Sequence, residues 1–166
     1  FMYEHMVRVP LIIRAPARDR SVAPPQVDFP TVNVDLAPTL ADFAGVTMSA
    51  ADGVSLKPFL VEGGQLPQRD AIIGQYYSKQ AWVNPIRMIR TEAYKLTRYR
   101  VHGEELYDLR QDPQEIVNRA ADPAYEAIKA EMSAKLDRWM EANDDPFYAQ
   151  NPTTREGRPL TGDTTG

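Results

Sequence analysis

The sequence contains no cysteine, only two histidines and no apolar run of membrane-spanning length. Without cysteine there can be no disulfide framework, no thiolate zinc site and no cysteine nucleophile. Compartment stays open, because disulfide-free proteins occur on either side of a membrane. With His5 and His102 alone, neither a histidine-rich metal site nor two independent histidine acid/base centres can be built. Positive charge is also short: 19 Lys plus Arg stand against 23 Asp plus Glu, a formal net charge of -4. That balance argues against an electrostatic grip on nucleic acid or on an anionic membrane. The chain opens Phe1-Met2-Tyr3 with neither an initiator Met nor a signal-peptide pattern, so it is expected to be a fragment or a processed product.

The 166 residues, 43% of them hydrophobic, suffice for a core. At about 100 to 200 residues per domain, they make one modest domain or a piece of a larger one. Fourteen prolines argue against a long coiled coil. Val7, Val9, Leu11, Ile12 and Ile13 form a short run that is apolar on both faces, which suits a strand buried on both sides of a sheet. Residues 15–30, with Pro16, Pro24, Pro25 and Pro30, read as loop. Asp35 is placed to cap a three-turn helix that sets Leu36, Leu40 and Phe43 on one face, tolerates Pro38 in its first turn and stops at Gly45. Leu56, Phe59 and Leu60 fit one further helical turn, and Gly63-Gly64 a turn.

From Ala71 the rhythm changes. Residues 71–77, 86–90, 94–99 and 105–109 are strand-length, and several alternate apolar with polar. Ile86, Met88, Tyr94 and Leu96 are expected to face one way, with Arg87 and Lys95 on a wet face of an antiparallel sheet. Short connections at Thr91–Ala93 and Arg100–Glu104 favour hairpins. Asp122-Pro123 opens a helix to about residue 142, in which Tyr125, Ile128, Met132, Leu136, Trp139 and Met140 keep core spacing and Glu131 precedes Lys135 by one turn. Beyond Asp144-Asp145-Pro146 the chain is polar apart from Phe147 and Tyr148, and a surface arm is expected, ordered only if it docks.

A catalytic set is hard to assemble. Ser21, Ser49, Ser55, Ser78 and Ser133 are available, but none lies in a Gly-x-Ser-x-Gly elbow. His102 reads as a solvated hairpin-tip residue, and His5 as ordinary packing or a surface hydrogen bond. Asp108, Asp112 and Glu115 lack the loop pattern of a calcium hand and suit turn and cap duty; Asp144-Asp145 is a separate acidic pair. Arg87, Arg90, Lys95, Arg98 and Arg100, interleaved with Tyr94 and Tyr99, resemble a single-strand clamp in composition but are expected to be a solvated face.

The same residues carry a family resemblance. Tyr3-Glu4, Arg8-Val9-Pro10-Leu11-Ile12-Ile13-Arg14, Val34-Asp35-Leu36-Ala37-Pro38-Thr39-Leu40 with Ala44-Gly45-Val46, and Asp52-Gly53-Val54-Ser55-Leu56 come first. Arg87-Met88-Ile89-Arg90-Thr91, Tyr94-Lys95-Leu96, Glu105-Leu106-Tyr107-Asp108-Leu109 and Asp112-Pro113-x-Glu115-x-x-Asn118 follow in order. Over residues 1–142 the chain resembles the later part of the type I sulfatases of the alkaline phosphatase superfamily.

The resemblance implies an α/β, sulfatase-like fragment: the last strand and helix of a large mixed sheet, then a four-stranded antiparallel sheet packed by a long helix. Residues 1–62 would end the large α/β domain, 63–142 form the C-terminal subdomain, and 143–166 a polar arm. The implied function is the C-terminal, cleft-shaping part of an enzyme hydrolysing sulfate esters, with carbohydrate sulfates first among substrates, and inactive as an isolated chain. The family's formylglycine, made in a Cys/Ser-x-Pro-x-Arg motif, and its Ca²⁺ (or Mg²⁺) ligands have no counterpart here, and its sulfate-binding Lys would fall just before Phe1. No catalytic or metal-binding residue is therefore assigned to this chain. Substrate-binding residues stay open, with loops 78–85 and 100–104 the first to inspect.

The implied partners are the N-terminal catalytic part of the same enzyme and a sulfated small molecule or glycan, not nucleic acid or membrane. Export or a periplasmic location stays open. The alternatives are part of a phosphate or phosphonate ester hydrolase of the same superfamily, or a stand-alone binding or assembly module. A fragment would also expose an apolar edge around Val9–Ile13.

Overall fold

A computed structural model describes every residue except 17–21, 25, 27–30 and 161–166, which exclude Ser21 and much of the expected 15–30 loop. It separates into two compact units, one of Phe1–Val9 with Asp70–Gly166 and one of Pro10–Arg69.

The first unit is built on an antiparallel meander: β1 (Ile72–Lys79), β2 (Trp82–Arg90), β3 (Tyr94–Tyr99) and β4 (Gly103–Asp108), hydrogen-bonded in that order. The hairpin connections expected at Thr91–Ala93 and Arg100–Glu104 are present, the second shortened to Arg100–His102 because β4 begins at Gly103. The expected loop 78–85 is not, since β1 runs to Lys79, β2 starts at Trp82, and only Gln80 and Ala81 turn between them. Proline cannot donate to a ladder, which disfavours it inside a strand. Here Pro85 sits where the register shifts between Tyr76 and Ser78, the kind of bulge that admits proline.

Register decides the faces. Opposed residues share a face, so pairing Ile86 with Tyr99, Met88 with Thr97 and Arg90 with Lys95 puts Lys95 on the side of Ile86 and Met88. Arg87 shares the other side with Ile89, Leu96 and Leu106. The expected grouping of Ile86, Met88, Tyr94 and Leu96 on one face is thus corrected, and so is the wet face. A chain can be wet on one side only if nothing covers it, and here both sides are covered. The long helix α4 (Glu126–Ala142) lays Met132, Leu136 and Met140 on Ile89, Leu96, Leu106 and Phe147. The opposite side receives Met2, which packs with Ile86, Met88 and Tyr99.

Helix α4 is entered as its sequence implies. The Asp122 carboxylate accepts from Ala124 N–H at 3.0 Å, Pro123 opens a 3₁₀ turn, and Glu131 pairs with Lys135 at 2.8 Å. The chain after α4 docks rather than trailing off, with Phe147 only 1% exposed.

At the chain start, Glu4–Val7 form a single helical turn, α1, and residues 8–16 carry no helix or strand. The strand expected over Val7–Ile13 is therefore not formed among the described residues. A doubly buried strand requires neighbours on both sides, and the described sheet contains only β1–β4. Val9 is 73% and Ile12 91% exposed, which matches the apolar edge expected there.

In the second unit, α2 (Leu36–Ala44) ends at Gly45, whose φ of 71° is the left-handed cap conformation. Helix α3 (Lys57–Val61) follows, with Leu56 buried at its start. Asp35 precedes α2, but its carboxylate does not cap it. Fully buried, it accepts from the Val32 and Val54 amides and from Arg69 Nη2 at 3.1, 3.0 and 2.5 Å. The buried face of α2 is that of Thr39, whose hydroxyl donates to Asp35 O and accepts from Leu56 N–H. Leu36 and Leu40, expected on the packed face, are 38% and 69% exposed. Gly53 passes so close to Val34 that a Cβ there would lie 2.1 Å from its carbonyl oxygen.

Two substitutions test this packing. Leu136→Ala is expected to cost about 2–5 kcal/mol in urea denaturation, by loss of contacts and a residual cavity, while Glu131→Ala leaves the midpoint nearly unchanged. Gly53→Ala forces the backbone of Val34 aside, and a clear drop in thermal midpoint is expected.

Candidate functional site

The family-like motifs of the first unit converge on one place. On the face that receives Met2, Arg90 and Lys95 sit opposite each other on β2 and β3, and Tyr107 lies across from Lys95 on β4. Two adjacent cations on a covered face need anions, and the chain brings them from far away. Glu4, on α1, accepts from Arg90 through both oxygens, Nε–Oε1 at 3.0 Å and Nη2–Oε2 at 3.2 Å. Lys95 Nζ lies 3.3 Å from the same Oε1, donates to Met2 O at 2.7 Å and forms an ion pair with Glu115. Glu115 closes the ring, accepting from Glu4 N–H at 2.5 Å. The Lys95 and Glu115 side chains are 0% and 1% exposed.

Local structure places each group. Glu115 follows the Asp112-Pro113 turn, in which Asp112 accepts from Val117 N–H at 2.8 Å, and its φ of 59° aims the carboxylate inward. Asn118 accepts from Leu106 and Ala120 N–H, tying that loop to β4. Beside the cluster, Glu105 accepts from Tyr99 OH at 2.8 Å and Tyr3 OH at 3.4 Å. Burial, then the hydrogen bond and charge of Glu105, push the Tyr99 hydroxyl well above its ordinary value. Burial and the Glu105 charge do the same for Tyr107. Burial opposes ionisation of Glu4, but Arg90 and Lys95 together outweigh it and hold its pKa below the ordinary 4.5.

The chemistry available is therefore that of a latch. Two cations and two carboxylates neutralise each other, and Tyr99 and Tyr107 are held protonated, so none of these groups is poised as base or nucleophile.

Arg87 and Arg98 of the basic stretch are paired as well, which corrects the expected solvated face. On the helix side, Arg87 and Asp145, both with side chains 0% exposed, make a bidentate pair at 2.8 and 2.7 Å. Arg98 binds Glu104 at 2.7 Å and also pairs with Asp137.

His5 is exposed and stacks on Tyr3, and His102 stands at the hairpin tip against the Tyr99 ring. Ser55 donates to Asp42 at 2.7 Å. Asp108 accepts from the Arg110 and Gln111 amides and from Tyr125 OH, the turn duty expected of it. Among the described residues no group of three or more His, Asp or Glu could hold a metal ion. The Lys95–Glu115 and Arg87–Asp145 pairings were not foreseen. Their signal was cations placed inside otherwise apolar strands in a chain with a matching supply of carboxylates.

A four-stranded antiparallel sheet backed by a long helix, with these motifs on its other face, is the C-terminal architecture of sulfatases of the alkaline phosphatase-like fold. More narrowly, the chain belongs to the family described as N-sulphoglucosamine sulphohydrolase, C-terminal, whose model matches residues 1–142. It is similar to the Delta 4,5-hexuronate-2-O-sulfatase of Bacteroides thetaiotaomicron, 36% identical over 87% of this chain and 31% of that protein. It is similar to BT4656, solved in complex with its substrate D-glucosamine-2-N,6-O-disulfate. That match has 34% identity and a TM-score of 0.62, and covers 71% of this chain and 26% of that one. The phosphonate monoester hydrolase of Agrobacterium radiobacter matches with 29% identity and a TM-score of 0.54, over 77% of this chain and 28% of that one. The chain spans less than a third of the length of these relatives.

The latch makes a pH prediction. A depressed carboxylate pKa adds stability above the unfolded value, and that stability is lost as pH falls through the folded value. The contribution of Glu4 is therefore present above about 4.5 and disappears below it. Glu4→Gln should lower the thermal midpoint at neutral pH and flatten its fall on acidification below pH 4.5. Lys95→Met, which leaves Glu115 buried and unpaired, is expected to cost about 3–5 kcal/mol in urea denaturation.

Proposed function

We propose that this chain is the C-terminal part of an enzyme that hydrolyses sulfate esters, sulfated carbohydrates first among them. The observation that carries the reading is the family match over residues 1–142, joined to sequence identity of about a third with sulfatases. The sugar sulfates named for two of those relatives support the substrate class. In this reading residues 1–62 end the large α/β domain, 63–142 form the C-terminal subdomain and 143–166 an arm. The apolar segment around Val9–Ile12 and the outer face of α2, with Leu36 and Leu40, are the surfaces that pack against the N-terminal catalytic part.

The acidic side chains of the latch and of Asp145 are committed to cations, so the residues present do not fit a metal site. The divalent cation and the formylglycine of the family belong to the N-terminal part. The role of this chain is to build and brace the wall of the cleft.

A second reading, hydrolysis of phosphonate monoesters, is favoured by the likeness to the Agrobacterium radiobacter enzyme. Assay of the whole protein separates the two. With Ca²⁺ it should release sulfate from a sulfated glucosamine or hexuronate at a rate well above that on a phosphonate monoester, and the isolated chain should release none above a heat-killed control. Faster turnover of the phosphonate would establish the second reading instead.

A further inference from the structure

The family match ends at residue 142, yet the segment that follows completes the core. Asp144, with φ 47°, breaks the helical course, and beyond it the chain makes a series of contacts with the sheet. Asp145 accepts from Arg87 twice and from Gln75 Nε2 at 2.9 Å. Phe147 enters the cluster of Ile89, Leu96 and Leu136, and its ring lies 5.3 Å from the Arg87 guanidinium carbon. Tyr77, opposite the bulge of β2, approaches the same carbon at 4.4 Å. Tyr148 OH accepts from Arg98 Nη1 at 3.2 Å. Thr153 then binds Val83, its N–H donating to Val83 O at 2.9 Å and its hydroxyl accepting from Val83 N–H at 2.8 Å.

Each of these is a device by which folded domains hold peptides: a bidentate arginine for a carboxylate, an aromatic anchor in an apolar pocket, and hydrogen bonds to the backbone of a strand. The sheet side of the site is independent of the arm. Arg87 Nη1 is held by the Tyr76 and Ile86 carbonyls at 3.2 and 2.9 Å, which leaves Nε and Nη2 aimed at the arm's carboxylate.

We propose that Asp145–Thr153 is a separable docking segment. The groove formed by Arg87, Gln75, Tyr77, Arg98 and Val83 is a binding site for an acidic-aromatic peptide, occupied here by the chain's own arm. This inference is independent of the proposed reaction.

The test keeps the full chain. A single protease site is placed at Asn143–Asp144, and the protein is folded and then cut. The arm is expected to stay bound through gel filtration and to be displaced by a labelled synthetic peptide of residues 144–158. Peptides carrying Asp145→Asn or Phe147→Ala should compete at least tenfold less well. Loss of the arm from a chain that keeps its circular dichroism would overturn the proposal, as would equal competition by the altered peptides. Unfolding on cutting would overturn it too, since the arm would then be core and not a ligand. Arg87→Lys in the uncut chain gives a second readout. It keeps the charge but loses the fork, and should increase proteolysis at the inserted site while leaving the fold intact.

Discussion

Everything in the sheet unit depends on cations buried in its two central strands. Arg87 and Lys95 have side chains with no exposure, on opposite faces of β2 and β3. A charge in that position is tolerated only if a carboxylate comes with it. Each face is accordingly closed by a segment that delivers one. The start of the chain brings Glu4 and the loop after β4 brings Glu115 to one side, and the segment after α4 brings Asp145 to the other. Such pairs add little over well-packed apolar residues, but they punish any arrangement that leaves one member alone. They define the positions of distant segments more than they raise the stability.

The regular elements were readable because local chemistry and tertiary context agree for them. Asp122-Pro123 opens α4, Gly45 closes α2, and the strand-length runs pair in sequence order. The misreadings share one cause, which is that burial is a property of what lies across a face and not of the residue on it. Arg87 and Lys95 read as wet because they are charged, and they are dry because Asp145 and Glu4 cover them. Leu36 and Leu40 read as packed because they are apolar, yet the described contacts of α2 run through Thr39 and the Asp35 hub. Val7–Ile13 has the pattern of a strand, but pattern cannot supply neighbours.

The motifs that mark the family have a physical content once their contacts are known. Val34–Leu40 and Asp52–Leu56 interlock: Gly53 passes the Val34 carbonyl, Val54 N–H reaches Asp35, Leu56 N–H reaches Thr39, and Ser55 reaches Asp42. Tyr3-Glu4, Arg90, Lys95 and Glu115 belong to the latch. Spacing along the chain is therefore a record of which backbone groups must be satisfied together. The members of the candidate site stood in the sequence as separate motifs, but their pairing did not, because they lie up to 111 residues apart.

The pairing of Arg90 with Lys95 also bears on how the sheet finds its alignment. A slide of β3 by one residue against β2 would send Lys95 through to the helix side, among Leu106 and Leu136, and leave Glu115 facing an apolar neighbour. Apolar residues alone would forgive such a slide, since leucine and isoleucine pack acceptably in many alignments. An ammonium group does not, so Lys95 acts as a key that fits one alignment and makes the neighbouring ones costly.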